Sequence, residues 1–353
     1  MKRATGMELE IGAEAFDLDL TLSPSFVSSL YHRTGPKRWA KIAGLLGGDL
    51  ELEQRGEILK VKSSSCIGEE ELLRIALHET GLWHGPYEEG LRSLPRSVKP
   101  ILESLGEAYA GVRLPIAPLD FDLMFIAVAL SKRADYEGRV LVWCRAIWER
   151  YGGDIRRISS APLNELRRIS PSHQVLSLGR TLRSFLGLGG RLPRGIVERF
   201  GAPEGAIGEY LLRLPPELAR LALISGCWGI GPKTADSIML STFKAPHLIP
   251  CDSHLRSVAL RLGLADEGLR MPRADLCSKF LCDRGPQGPY GIDPCPRFAS
   301  CLRGGLAWLG DLGGWFQTLA YIHGRAYCRT LRPKCRGCPI EEVCPTSALR
   351  KSS

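Results

Sequence analysis

Gly226-Cys-Trp-Gly-Ile-Gly-Pro-Lys-Thr-Ala-Asp236, followed downstream by Cys251-Asp-Ser-His254, decides the fold. Gly229-Ile230-Gly231 spells a tight turn between an apolar helical stretch, Leu218 to Ile224, and a second helix opened by Pro232. Proline suits the first helical position, and glycine lets the backbone approach another molecule closely. A helix, a short glycine turn and a helix with free N–H groups at its start make a phosphate cradle. Lys233 falls in the first turn of the second helix, where the positive end of the helix dipole repels a cation. That repulsion, with partial burial, lowers the pKa of an amine and makes it a better nucleophile. Asp252 follows Lys233 by 19 positions, after a loop, and Ser253-His254-Leu255-Arg256 begins another helix.

This order of residues resembles the helix-hairpin-helix DNA glycosylases, the superfamily of endonuclease III and 8-oxoguanine DNA glycosylase. The resemblance covers roughly residues 98–353. It implies that Lys233 attacks C1′ of a flipped nucleotide, that Asp252 assists, and that Gly229 and Gly231 hold a DNA phosphate. Members with the lysine cleave the strand as well as removing the base; members without it only remove the base. One departure is visible: the family carries Leu-Pro-Gly where this chain has Cys227-Trp228-Gly229. Taken singly, each residue has a plainer reading. Asp252 can serve as a helix N-cap, and Lys233 as a solvated lysine.

Composition sets the frame. The 353 residues suggest two or three domains, and 44% hydrophobic with 24% charged residues suffices for a core. A formal charge of +9 favours an anionic partner such as nucleic acid. No apolar run reaches membrane-spanning length, and the first residues lack the apolar core of a signal peptide, so a cytoplasmic protein is expected. Asn164 is the sole asparagine, which suits a hot-living source.

Residues 16–22, Phe-Asp-Leu-Asp-Leu-Thr-Leu, alternate as a half-buried strand does. Leu50 to Glu53 and Ile58 to Val61 flank Arg55-Gly56 as a hairpin, and Glu69 to Leu82 has helical spacing. Residues 1–97 therefore form a small α+β domain. Its opening strand and Ser23-Pro24-Ser25 weakly resemble the N-terminal domains of 8-oxoguanine DNA glycosylase and 3-methyladenine DNA glycosylase II. A linker is expected across Leu91 to Pro100. Beyond it the chain is mainly α. Leu119 to Lys132 is a buried core helix, Arg139 to Tyr151 is amphipathic, and shorter helices follow at 162–169, 175–187, 205–213 and 216–225. Residues 98–265 form the helical barrel, and 266–353 a cysteine-rich insertion, a closing helix and a terminal cysteine segment that packs with the start of the helical region. The expected fold is a mainly α glycosylase bundle in two subdomains.

Endonuclease III relatives carry Leu-Ser-Ala-Gln-Ala-Thr-Asp where this chain has Leu130-Ser131-Lys132-Arg133-Ala134-Asp135-Tyr136. Arg133 takes the position of the gap-filling Gln, where a guanidinium can pair with the orphaned base. A solvated Arg near a helix end is the plainer alternative.

Twelve cysteines are present. Cys328, Cys335, Cys338 and Cys344 are spaced to ligate zinc or a [4Fe–4S] cluster. Leu319 to Cys328 and Cys338 to Cys344 resemble the endonuclease III cluster segment nearly position by position, which implies the iron–sulfur cluster. Between the first two ligands run Arg329, Arg332 and Lys334, a basic loop suited to phosphates. Cys277, Cys282, Cys295 and Cys301 form a second set inside a Gly- and Pro-rich insertion, residues 266–305, open to zinc, to two disulfides or to unpaired core thiols. Cys66, Cys144, Cys227 and Cys251 are expected as buried thiols.

The expected function is excision of a damaged, oxidised base from double-stranded DNA, with AP lyase activity, by a monomer. A non-catalytic iron–sulfur DNA-binding protein and a monofunctional glycosylase are the alternatives. Ser237 stands where 8-oxoguanine glycosylases carry a cysteine, so the substrate stays open.

Overall fold

The computed structural model describes residues 6–85, 87–282 and 289–347. A five-stranded antiparallel sheet opens the chain: β1 (Met7–Gly12), β2 (Tyr31–Gly35), β3 (Arg38–Lys41), β4 (Leu50–Arg55) and β5 (Ile58–Ser63). Their spatial order is β1-β5-β4-β3-β2. Gly56 turns the β4–β5 hairpin with φ +59°, a conformation glycine adopts without steric cost.

The expected strand at 16–22 is instead helix α1 (Leu18–Leu22). Leu18, Thr21 and Leu22 share its buried face, and the Asp17 carboxylate caps it by accepting from Leu20 N at 2.9 Å. Over seven residues the same leucines fit both periods, and the cap favours the helix. The true first strand, Met-Glu-Leu-Glu-Ile-Gly, lies ten residues earlier and pairs with β5 from Met7↔Ser63 to Gly12↔Ile58.

The longer helices that follow are α2 (Glu69–Thr80), α3 (Lys99–Ala108), α4 (Phe121–Leu130), α5 (Leu141–Tyr151) and α6 (Leu178–Leu186). The 91–100 connection ends inside α3, because Pro100 occupies an early helical position where no N–H is needed. Every residue of α4 except Asp122 is buried, as expected of the central helix.

Two apolar cores result. The first joins the sheet to α4, α5, α6 and the glycine hairpin. The second brings Leu102 and Leu105 of α3 against Trp315, Phe316 and Leu319, more than 200 residues away in sequence. The sheet is locked to α4 by a buried ion site. Lys41 Nζ lies 2.6 Å from Glu79 Oε1 and 2.7 Å from Asp120 Oδ2, and Tyr31 donates to Glu79. Gly44, at φ +80°, passes so close to Asp120 that a Cβ there would meet its carboxylate at 2.3 Å. No helix among the described residues is long and apolar enough to cross a membrane.

Candidate active site

The hairpin is α7 (Pro216–Gly226), a turn, and α8 (Pro232–Thr242). Gly229 sits at φ +76° and needs to be glycine; Gly231 is extended at φ −101° and caps α8 without a side-chain bond. The first amides of α8 are thus left uncapped by any side chain, as an anion site requires. Trp228 N donates to Ser184 Oγ at 2.8 Å, and the Trp228 ring lies under the Arg180 guanidinium at 4.3 Å. Lys132 Nζ donates to Gly229 O at 3.3 Å. Arg133 is exposed at φ +53°. Its neighbour Lys132 is the residue that touches the hairpin.

Lys233 projects from the first turn of α8 into a cavity of about 190 Å³. Asp252 faces the same cavity from the start of α9 (Ser253–Arg261). Both readings of Asp252 hold together: Oδ1 caps α9 by accepting from Leu255 N at 2.8 Å, while Oδ2 faces Gln317 Nε2 at 3.5 Å. The Lys233 amine stands 5.6 Å from the Phe26 ring centroid and has no hydrogen bond or ion pair among the described residues. Burial pushes its pKa below the ordinary lysine value, and the Asp252 charge partly opposes that shift.

Both cores build the cavity. Phe26 and Tyr136 come from the first, and Gln317 and Tyr321 come from α12 (Gly313–Ala326) in the second. Tyr136 is buried and donates to Ser25 O at 2.8 Å, so it supports the wall. His254 adjoins Tyr321 at 5.5 Å between rings, and its buried Nδ1 has no partner among the described residues. Arg325 closes one side, 2.7 Å from Glu137 and 3.4 Å from Asp135. The N-terminal domain adds Thr21, Pro24, Ser25 and Phe26 to this wall, which no local pattern in the sequence marks.

The two four-cysteine sets each line one small cavity. Cys328, Cys335, Cys338 and Cys344 surround about 20 Å³. Arg261 Nη1 donates to Cys328 Sγ at 3.4 Å, and His323 Nε2 lies 3.6 Å from Cys338 Sγ. Burial pushes the His323 pKa down to about 4, which keeps the ring neutral. Arg261 also holds the basic loop, donating to the Arg329 and Thr330 carbonyls at 2.7 and 2.9 Å. Arg332 and Lys334 are exposed on it. Cys277, Cys282, Cys295 and Cys301 surround about 30 Å³. Among the described residues no two cysteines are joined by a disulfide. Cys144, Cys227 and Cys251 are buried as expected, but Cys66 is exposed, because it lies in the loop between β5 and α2. Among the described residues, no group of three or more His, Cys, Asp or Glu is drawn together tightly enough to hold a metal ion.

The chain has the fold of the helix-hairpin-helix DNA glycosylases. Its structure is similar to the 8-oxoguanine glycosylase/lyase of Clostridium acetobutylicum in complex with double-stranded DNA (TM-score 0.59, 16% identity, 90% of this chain and 97% of that one). It is similar to MBOgg1 in complex with a low-affinity DNA ligand (0.60, 14%, 90% and 95%). It is also similar to the 3-methyladenine DNA glycosylase of Archaeoglobus fulgidus (0.56, 14%, 92% and 100%). No family model and no curated protein matches the chain.

Proposed function

We propose that the chain is a base-excision DNA N-glycosylase with AP lyase activity, acting on an oxidised base in double-stranded DNA. One observation carries this reading: a desolvated amine, Lys233, shares a two-core cavity with the carboxylate of Asp252. The cavity accommodates one base and not a duplex, so the target nucleotide has to be flipped out of the stack. The Lys233 nitrogen lone pair attacks C1′. The C1′–N bond breaks, and its electron pair leaves with the base, which takes up a proton. Nitrogen loses its protons as the sugar ring opens, giving an imine. Loss of a C2′ proton then expels the 3′ phosphate and nicks the strand. Asp252 stabilises the positive charge that develops on the sugar and accepts a proton from the amine.

The turn at Gly229 and the uncapped start of α8 bind a backbone phosphate. Lys132 and Arg180 beside Trp228 add positive charge at that contact, and Arg133 is the exposed candidate for filling the gap left by the flipped base. The donor set at Cys328, Cys335, Cys338 and Cys344 fits a [4Fe–4S] cluster: four cysteines line one gap, and Arg261 is aimed at one sulfur. Such a cluster would organise the loop that carries Arg332 and Lys334.

The test is a panel of duplexes carrying different damaged bases, together with one carrying an abasic site. Base release from an oxidised lesion and nicking of the abasic strand are expected. Tight binding with no release and no nicking on any duplex would leave a non-catalytic DNA-binding protein instead. Release without nicking would leave a monofunctional glycosylase.

A further inference from the structure

The described residues of the insertion at 266–305 bridge the two cores. The insertion contains α10 (Ala274–Cys277) and ends in α11 (Leu302–Gly305). Cys277 and Leu281 are buried in the first core, whereas Leu302, next to Cys301, is buried in the second. Backbone bonds fix the crossing. Cys295 N donates to Leu281 O at 2.8 Å, and Leu302 N to Arg270 O at 2.8 Å. These ties bring all four cysteines of the insertion around one gap of about 30 Å³.

Beneath the sulfurs lies a buried ion cluster. Arg220 of α7 pairs with Asp236 of α8, Nε to Oδ1 at 2.6 Å, and Arg303 of α11 approaches the same oxygen at 3.3 Å. One carboxylate thus serves two buried guanidiniums. Arg303 Nε makes no hydrogen bond, although its residue is only 8% exposed. Two buried guanidiniums against one carboxylate leave a net positive charge, which is costly to bury. A metal–tetrathiolate site is anionic and takes N–H donors on its sulfurs, which is what these guanidiniums offer.

We propose that Cys277, Cys282, Cys295 and Cys301 bind one zinc ion that staples the two cores together behind the helix-hairpin-helix. Binding draws the four sulfurs onto a common centre at about 2.3 Å, and their four protons pass to solvent. The staple acts on the hairpin through Arg220 and Asp236, which sit on its two helices; Asp236 lies one turn beyond Lys233. The zinc site stands on the cysteines and the ion cluster alone. Only its consequence for Lys233 rests on the glycosylase reading.

The test is metal analysis of the full chain, purified anaerobically from zinc-containing medium. About one zinc per chain is expected, lost in Cys295→Ser/Cys301→Ser while the iron content is unchanged. Cobalt loaded in place of zinc should give the visible bands of a tetrahedral thiolate site in the parent protein and not in the variant. If the variant fails to fold, thiol counting on the parent protein decides: four thiols should become reactive only when a chelator removes zinc. A mass four hydrogens below the all-thiol chain, meaning two disulfides, would overturn the proposal. So would zinc that persists in the double variant, or additional iron in its place.

Discussion

Lys41 and Lys233 both leave water, and their surroundings shift them in opposite directions. Lys41, at the junction of sheet and α4, is fully enclosed and touches two carboxylates. Burial alone would push its pKa down, but Glu79 and Asp120 outweigh burial and raise it. It is held as a permanent cation that pins the N-terminal domain to the bundle. Lys233 has only the charge of Asp252 to set against desolvation, and desolvation wins. On the proposed function, that shift leaves its amine able to shed a proton and attack. Burial makes neither role by itself; the number of carboxylates in contact decides which one results.

Breaking the Lys41 site tests the structural half of the comparison. Lys41→Met leaves Glu79 and Asp120 buried without their cation, and stability should fall by about 3–5 kcal/mol in denaturant unfolding. Base release per folded molecule should be retained. Lys233→Gln should do the reverse, keeping or raising the denaturation midpoint, since it removes a desolvated amine. A large loss of stability in Lys233→Gln would mean that both lysines are structural.

Asp252→Asn sharpens the catalytic half. The amide can still cap α9, so the fold should persist. Loss of the carboxylate charge should slow base release by about 3–4 kcal/mol, a few hundredfold. The pH profile should move as well. Activity needs the neutral amine, so it falls as pH drops through the Lys233 pKa. The carboxylate raises that pKa, and its removal should shift the acid limb to lower pH. A cap without a catalytic role predicts an unchanged rate and an unmoved limb.

The smallest effect is expected at Arg332 and Lys334, which stand exposed on the basic loop. Arg332→Ala with Lys334→Ala should weaken binding on any DNA sequence and flatten its salt dependence by about one unit per lost phosphate contact. An unchanged slope would take the loop out of the interface.

The hairpin was legible in the sequence because Gly229, Pro232 and Lys233 act locally, and Asp252 was legible because a cap is a local signal. What local pattern does not encode was missed. Lys41, Glu79 and Asp120 are scattered over 80 residues and meet only in the fold. The same holds for Arg220, Asp236 and Arg303. The second core pairs α3 with α12 across most of the chain. Lys132 was passed over for Arg133 because the family register points to the latter, while the left-handed backbone at Arg133 leaves its neighbour against Gly229.

Borohydride trapping on an abasic duplex tests the central claim most directly, because only an imine is reduced to a stable protein–DNA bond. The parent protein, Lys41→Met and, more slowly, Asp252→Asn should all trap, and Lys233→Gln should not trap at all. Covalent trapping that survives in Lys233→Gln would show that another amine is the nucleophile.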